Sequence, residues 1–196
     1  GRNGAGKSSL LWALQGATPS TGTVLVDGVD PRTLAPARAR AQVSLVPQSA
    51  SDLLYLPSVG AELAQAARET GSPAGTTAAI LAGLGTPLAP DADPRDLSEG
   101  QKLALVLAVQ LAAAPGVLLL DEPTRGLDYA MKDHLAAILA GLAAAGHAVV
   151  VSTHDVEFAA LASRGTLLMA DGELIAEGRT ADLLTSSPAY APQMSK

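Results

Sequence analysis

The sequence contains no cysteine, so neither a disulfide framework nor a thiolate metal site is available, and a reducing compartment suits it. Aromatic residues are scarce, at 3% of 196 residues. The core must therefore be built from Ala, Leu and Val, a mixture suited to helices packed on a parallel sheet. No run of clustered Lys and Arg is present, and the formal net charge is −6, which argues against a nucleic-acid surface. Long apolar runs are missing too. The most apolar stretches, 103–114 and 135–145, fall short of the roughly 18 residues needed to span a bilayer. Any membrane path is thus expected from another chain. The first residues are polar and glycine-rich, without the basic and then apolar run of a leader peptide. The length suits one domain with a sizeable core and room for an inserted subdomain.

Four short apolar runs, 43–46, 117–120, 148–152 and 166–170, read as buried strands. Helical patterns lie between them. One covers 8–15 and is closed by Gly16, and another covers 98–113. In 128–145, Met131, Leu135, Ile138, Leu139 and Leu142 recur at helical spacing, and Gly146 is the natural stop. Strands alternating with helices predict an α/β fold with a mostly parallel sheet flanked by helices. Asp-Gly pairs flanked by apolar residues, within 23–29 and 167–176, predict small antiparallel hairpins. The segment 50–96 is rich in Ala, Gly and Pro, with helical pieces at 59–69 and 76–84. It reads as a helical subdomain inserted into the α/β core and continuing to about residue 113.

Three motifs carry chemistry. Residues 1–8, GRNGAGKS, match the phosphate-binding loop G-x-x-x-x-G-K-[ST]. Its glycines let backbone N–H groups turn inward around phosphates, Lys7 adds positive charge, and the Ser8 hydroxyl can hold Mg²⁺. The helix that follows directs its positive dipole end at the same anion. By composition alone the pattern arises by chance in roughly one such chain per hundred. The second motif, VLLLDEP at 117–123, is an apolar strand ending in two carboxylates. Neighbouring strand side chains point to opposite sides, so Asp121 can face a metal while Glu122 orients and deprotonates water. The third, LSEGQ at 97–101, reads in two compatible ways. Ser98 with Gln101 forms a capping box, and a capped, glycine-bearing helix N-terminus is also an anion site.

In this order, P-loop, LSEGQ and LLLDEP resemble the ATPase domain of the ABC family across essentially the whole chain, residues 1–196. The resemblance implies a P-loop NTPase fold of ABC type that binds ATP and Mg²⁺ and hydrolyses ATP. Gln48, in VPQ, matches the Q-loop glutamine, which reaches Mg²⁺ and water and senses a membrane partner. Asp128, in GLD, matches the D-loop at a subunit interface, and His154, in VVVSTHD, matches the switch histidine. Glu122, His154 and Gln48 are therefore the implied catalytic group, and Ser8, Gln48 and Asp121 the implied Mg²⁺ ligands. Nucleotide contacts are implied for Gly1, Asn3, Gly4, Ala5, Gly6, Lys7, Ser8 and Ser9, and, from a second subunit, for Ser98, Gly100, Gln101 and Asp128. That second subunit, identical or not, packs head to tail so that each ATP lies between one P-loop and the other LSEGQ helix. No arginine finger is evident, and the helix N-terminus with Ser98 and Gly100 is a substitute for it. His134 and His147 lie outside every motif and read as ordinary helix-surface residues.

Two departures stand out. Glu99 replaces the family's commoner glycine, and its side chain is expected to point away from the nucleotide. The strand that feeds the P-loop in this family, expected between 148–152 and 166–170, and the upstream adenine-stacking aromatic are not in this sequence. The stretch from Gln48 to Leu97 suits a transporter-type helical subdomain and leaves no room for the long coiled coil of the repair proteins. Soluble ATPases of translation usually carry two cassettes and positive charge, and a P-loop small-molecule kinase does not explain LSEGQ. Within transporters, DEPTRGLDY at 121–129 and the tail 187–193 resemble the ATPases of energy-coupling-factor importers of vitamins or metal ions. An ordinary ABC importer is the alternative. Either way the resemblance implies a peripheral protein on the cytoplasmic face of the membrane, bound to a transmembrane coupling or permease subunit, with no nucleic acid.

Overall fold

The computed structural model describes residues 4–186. In chain order the elements are α1 (Lys7–Gln15), α2 (Pro36–Gln42), β1 (Val43–Val46), α3 (Val59–Thr70), α4 (Thr76–Gly83), α5 (Glu99–Leu111), β2 (Val117–Asp121), α6 (Tyr129–Ala144), β3 (Ala148–Ser152), α7 (Val156–Ala162), β4 (Gly165–Ala170), β5 (Glu173–Arg179) and α8 (Thr180–Ser186). Gly1 and Asn3, and the tail segment 187–193, lie outside the described residues.

β1, β2 and β3 form a parallel sheet in that order, with Val46 opposite Leu120 and Asp121 opposite Ser152. Parallel pairing requires crossovers, and the helices that make them cover both faces. Period-two alternation in β2 sends Leu118 and Leu120 to one face and Leu119 to the other. Leu118 and Leu120 join a continuous apolar cluster with α3, α4, α5 and α6, including Leu63, Leu81, Leu105 and Leu135. Leu119 meets Leu11 of α1 with Val43 and Leu45. Full burial of each such side chain contributes about 1.5–3 kcal/mol. The helical segment predicted at 50–113 thus shares its core with the sheet through α5.

Two expectations about strands need correction. The runs 148–152 and 166–170 are not buried throughout: β3 alternates between exposed and partly buried residues up to the buried Ser152, and every residue of β4 is exposed or only partly buried. β4 pairs antiparallel with β5 around Asp171 and Gly172, both at positive φ, which is the hairpin the Asp-Gly pair within 167–176 predicts. The hairpin expected at 23–29 shrinks to one bridge between Val26 and Val29 across Asp27-Gly28. The turn forms, with φ of 50° and 79°, but Leu25 is 60% exposed, so no buried apolar face extends the ladder.

Among the described residues β3 pairs with β2 alone. Its other edge looks across a cleft of about 610 Å³ towards β4, with Lys7 and Leu11 of α1 and Leu184 of α8 also in its walls. No described residue fills the place between β3 and β4 that the sequence resemblance assigns to a further strand.

Candidate active site

Three parallel strands end on one edge of the sheet, and the loops that follow them carry Gln48, the Asp121-Glu122 pair and His154. Carboxyl ends of parallel strands are the usual place for a ligand in such folds. The P-loop faces the same edge, because α1 packs against β1, β2 and β3.

The loop geometry follows from its glycines. Gly4 and Gly6 adopt φ of 81° and 88°, a left-handed conformation natural to residues without a Cβ. Gly6 ends the turn as the N-cap of α1, and among the described residues no side chain caps that helix. The N-terminus of α1, with its dipole, points its N–H groups towards an anion placed in this loop. Ala5 is buried, Ser8 is half-buried and Ser9 is exposed.

Lys7 Nζ lies 3.2 Å from Glu122 Oε1. The two side chains are only 12% and 9% exposed, so this charge pair is strongly screened from water. Glu122 Oε2 accepts a hydrogen bond from the His154 main-chain N–H at 3.2 Å, and His154 Nδ1 sits 2.8 Å from it. Apart from the Lys7 ammonium, Oε1 has no donor in reach among the described residues. It is an acceptor with an unused lone pair, which is costly unless a further donor arrives. Asp121 is 4% exposed and accepts a hydrogen bond from the Ser152 hydroxyl at 2.8 Å.

The two carboxylates diverge for a reason other than strand alternation. Asp121 is the last residue of β2. Glu122 lies beyond the strand in the left-handed region, at φ 49°, while its N–H donates to Ser152 O at 2.8 Å. A non-glycine residue there is uncommon and strained, and the strain aims the Glu122 side chain at Lys7 and His154.

Lys7, Glu122 and His154 are brought into direct contact, with Asp121 beside them in sequence. Gln48 is exposed at the end of β1. The LSEGQ segment stands apart and lines no part of the cleft that Lys7 and His154 share. The capping box is present in full: Gln101 N–H donates to Ser98 Oγ, and Ser98 N–H donates to Gln101 Oε1. Glu99 pairs with Lys102 at 3.1 Å and packs over Gly126, where an added Cβ would lie 3.2 Å from Glu99 Cγ. Asp128 caps α6 through Met131 N–H at 2.8 Å.

The two remaining histidines are not plain surface residues. Both are half-buried. His134 Nε2 bonds Leu84 O at 2.8 Å, tying α6 to the end of α4, and His147 Nδ1 bonds Pro115 O at 2.7 Å. Their acceptors lie 50 and 32 residues away, a partnership that local sequence pattern does not reveal. Sequence reading also passed over Ser152, though its place at the end of a strand parallel to VLLLD was a usable signal.

Comparisons with known proteins identify the family. The family model described as ABC transporter matches residues 1–125. A Streptomyces coelicolor protein provisionally named as an ABC transporter ATP-binding protein is 53% identical over the whole chain, and the chain spans 35% of that protein's length. The cobalt import ATP-binding protein of Rhodobacter capsulatus is 40% identical over 97% of the chain, covering 71% of that protein. An energy-coupling factor transporter ATP-binding protein of Methanothermobacter thermautotrophicus is 36% identical over 91% of the chain and 60% of its own length. Among solved structures, a CbiO protein of Clostridium perfringens superposes with a TM-score of 0.80 at 27% identity, covering 95% of this chain and 77% of that one. An ATP-binding cassette solved as a dimer with ADP and phosphate gives 0.77 at 25% identity, covering 91% and 82%. With the P-loop lysine, the strand-end carboxylates and the histidine meeting at one edge of the sheet, this chain belongs to the ABC transporter ATP-binding family.

Proposed function

We propose that this chain binds Mg-ATP at the P-loop and hydrolyses it with Glu122 as general base. The observation that carries the reading is the contact chain Lys7–Glu122–His154, which joins three separate motifs at one point. His154 holds Oε2 through its N–H and ring and so fixes the carboxylate. Oε1 keeps a lone pair for the proton of an attacking water. When a triphosphate enters, its oxygens replace Glu122 as the partner of Lys7, which frees the carboxylate as the ammonium moves to the phosphates. Gly4, Gly6 and the open N-terminus of α1 supply N–H groups to the same phosphates. Ser8, Gln48 and Asp121 offer hydroxyl, amide and carboxylate oxygens, a hard donor set that fits Mg²⁺. The ion would neutralise charge between the β- and γ-phosphates.

The finer reading is an energy-coupling-factor type importer of a vitamin or metal ion. It is supported by the two relatives named for cobalt import and for an energy-coupling factor. Among the described residues no helix is long and apolar enough to cross a membrane. By the same likeness, a transmembrane coupling subunit is proposed as partner on the cytoplasmic face, with a second ATPase subunit or domain.

The test compares two variants of the full chain. Glu122→Gln keeps nucleotide affinity and loses about 10²–10⁴-fold in hydrolysis, the usual range for a missing general base. Lys7→Ala loses nucleotide affinity itself. Nucleotide titration and steady-state phosphate release read the two effects separately. Turnover near the parent value in Glu122→Gln rejects the assignment of the base.

A further inference from the structure

Two side chains on the first turn of α6, Tyr129 and Lys132, reach the segment that follows His154. The Lys132 ammonium donates to Asp155 Oδ2 at 2.6 Å and lies 5.7 Å from the centre of the Tyr129 ring. The Tyr129 hydroxyl donates to Glu157 Oε2 at 2.5 Å. Asp155 uses its other oxygen to cap α7, accepting the Phe158 N–H at 3.0 Å. One residue earlier, the N–H and ring of His154 meet Glu122 Oε2. A continuous chain of contacts runs from α6 to the carboxylate of Glu122.

His154 needs such support. Its side chain is 61% exposed, and it sits between the end of β3 at Ser152 and a seven-residue helix, α7. Its own packing does little to fix it. The Lys132–Asp155 pair is better shielded, at 24% and 16% exposure, and holds more firmly than an open surface pair. Burial opposes the charge on Asp155, but the Lys132 hydrogen bond and the Phe158 amide outweigh it and lower its pKa. Lys132 is raised in turn, chiefly by its hydrogen bond to Asp155.

We infer that Lys132 is a positioning residue that, through Asp155, holds the His154 segment against Glu122, with Tyr129 as a weaker second tether through Glu157. Lys132 itself lines no part of the cleft, so it acts through Asp155 and His154 and not on the nucleotide. The inference rests on the reading of Glu122 as the base.

The experiment measures ATP affinity, kcat and KM of the full chain carrying Lys132→Met, Lys132→Arg, Asp155→Asn and Glu122→Gln. Loss of alignment at a reacting group commonly costs one to two orders of magnitude in rate. Lys132→Met is expected to lower kcat about tenfold at unchanged ATP affinity and KM. Lys132→Arg keeps the charge and recovers most of the rate. Asp155→Asn keeps a capping side chain for α7 yet breaks the ion pair, so it matches Lys132→Met. The double variant Lys132→Met with Asp155→Asn is no worse than either single one, as expected for one shared interaction. Parent-like kcat in Lys132→Met overturns the inference, as does an equal loss of ATP affinity. If Lys132→Met melts early, Asp155→Asn decides, and normal turnover there overturns the inference. Parent-like turnover in Glu122→Gln rejects the proposed base instead. An inactive Glu122→Gln beside an active Lys132→Met rejects only the tether.

Discussion

Gly100 has no Cβ, and one built at that position would lie 2.5 Å from Met131 Cε. Two causes compete for this glycine: contact with α6, or access of a phosphate to the helix N-terminus. The clashing atom is the far end of a long, adaptable side chain, so Met131 can swing aside at small cost. Alanine is also the better helix former, by about 1 kcal/mol in a helix interior. Gly100→Ala is thus expected to leave the melting temperature within a few degrees of the parent. If the bare backbone serves the nucleotide of a second subunit, the same variant loses most ATP hydrolysis. A large drop in melting temperature with parent-like hydrolysis per folded molecule assigns Gly100 to packing. Contrast Gly126, where an added Cβ would meet Glu99 Cγ at 3.2 Å and φ is 77°. There the backbone alone already favours glycine.

At the scale of elements, α3 depends on a residue that composition and periodicity gave no reason to single out. Glu62, 4% exposed, accepts the N–H groups of Tyr55 and Leu56 through one oxygen, each at 2.6 Å. It folds the loop before α3 back onto the helix that Ser58 caps. Glu62→Ala orphans two amides in a shielded site, at about 1–3 kcal/mol each. In a domain of this size that lowers the melting temperature by roughly 5–15 °C. Glu62→Gln keeps an acceptor and loses less. Identical thermal unfolding of the alanine variant and the parent refutes this role. The comparison also shows why some features are readable in advance. β1 and β2 announce themselves as short apolar runs, α1 by its bounding glycines, and α5 by its capping box, all signals within a few residues. Glu62, His134 and the Lys132–Asp155 pair rely on partners in other elements, and partner choice is fixed only by tertiary packing. The positive φ of Glu122 is invisible for the same reason. Strand alternation assigned the two carboxylates to different sides, and the left-handed backbone supplies that divergence instead.

At the scale of the whole molecule, the P-loop and the LSEGQ helix do not share a cleft within one chain. Lys7 and His154 line the cleft beside β3, whereas Gly100 faces α6. Ser98 and Glu99 are exposed at the start of α5, where N–H groups not bonded within the helix and the helix dipole favour an anion. The sequence resemblance implies a head-to-tail pairing in which this end would meet a γ-phosphate held by the partner's P-loop. Ser98→Arg tests it in the hydrolysis-deficient Glu122→Gln background. The arginine removes the cap, which costs about 0.5–2 kcal/mol, and places bulk and positive charge where a phosphate would sit. Sedimentation with Mg-ATP is expected to show dimers for the parent background and monomers for Ser98→Arg, with ATP binding to the monomer retained. Ser98→Asp is the control for the cap, because its carboxylate still accepts the N–H of Gln101 while opposing phosphate by like charge. It is therefore expected to fold with parent-like stability and still fail to dimerise. ATP-dependent dimers in both variants would mean that Ser98 serves only to start α5.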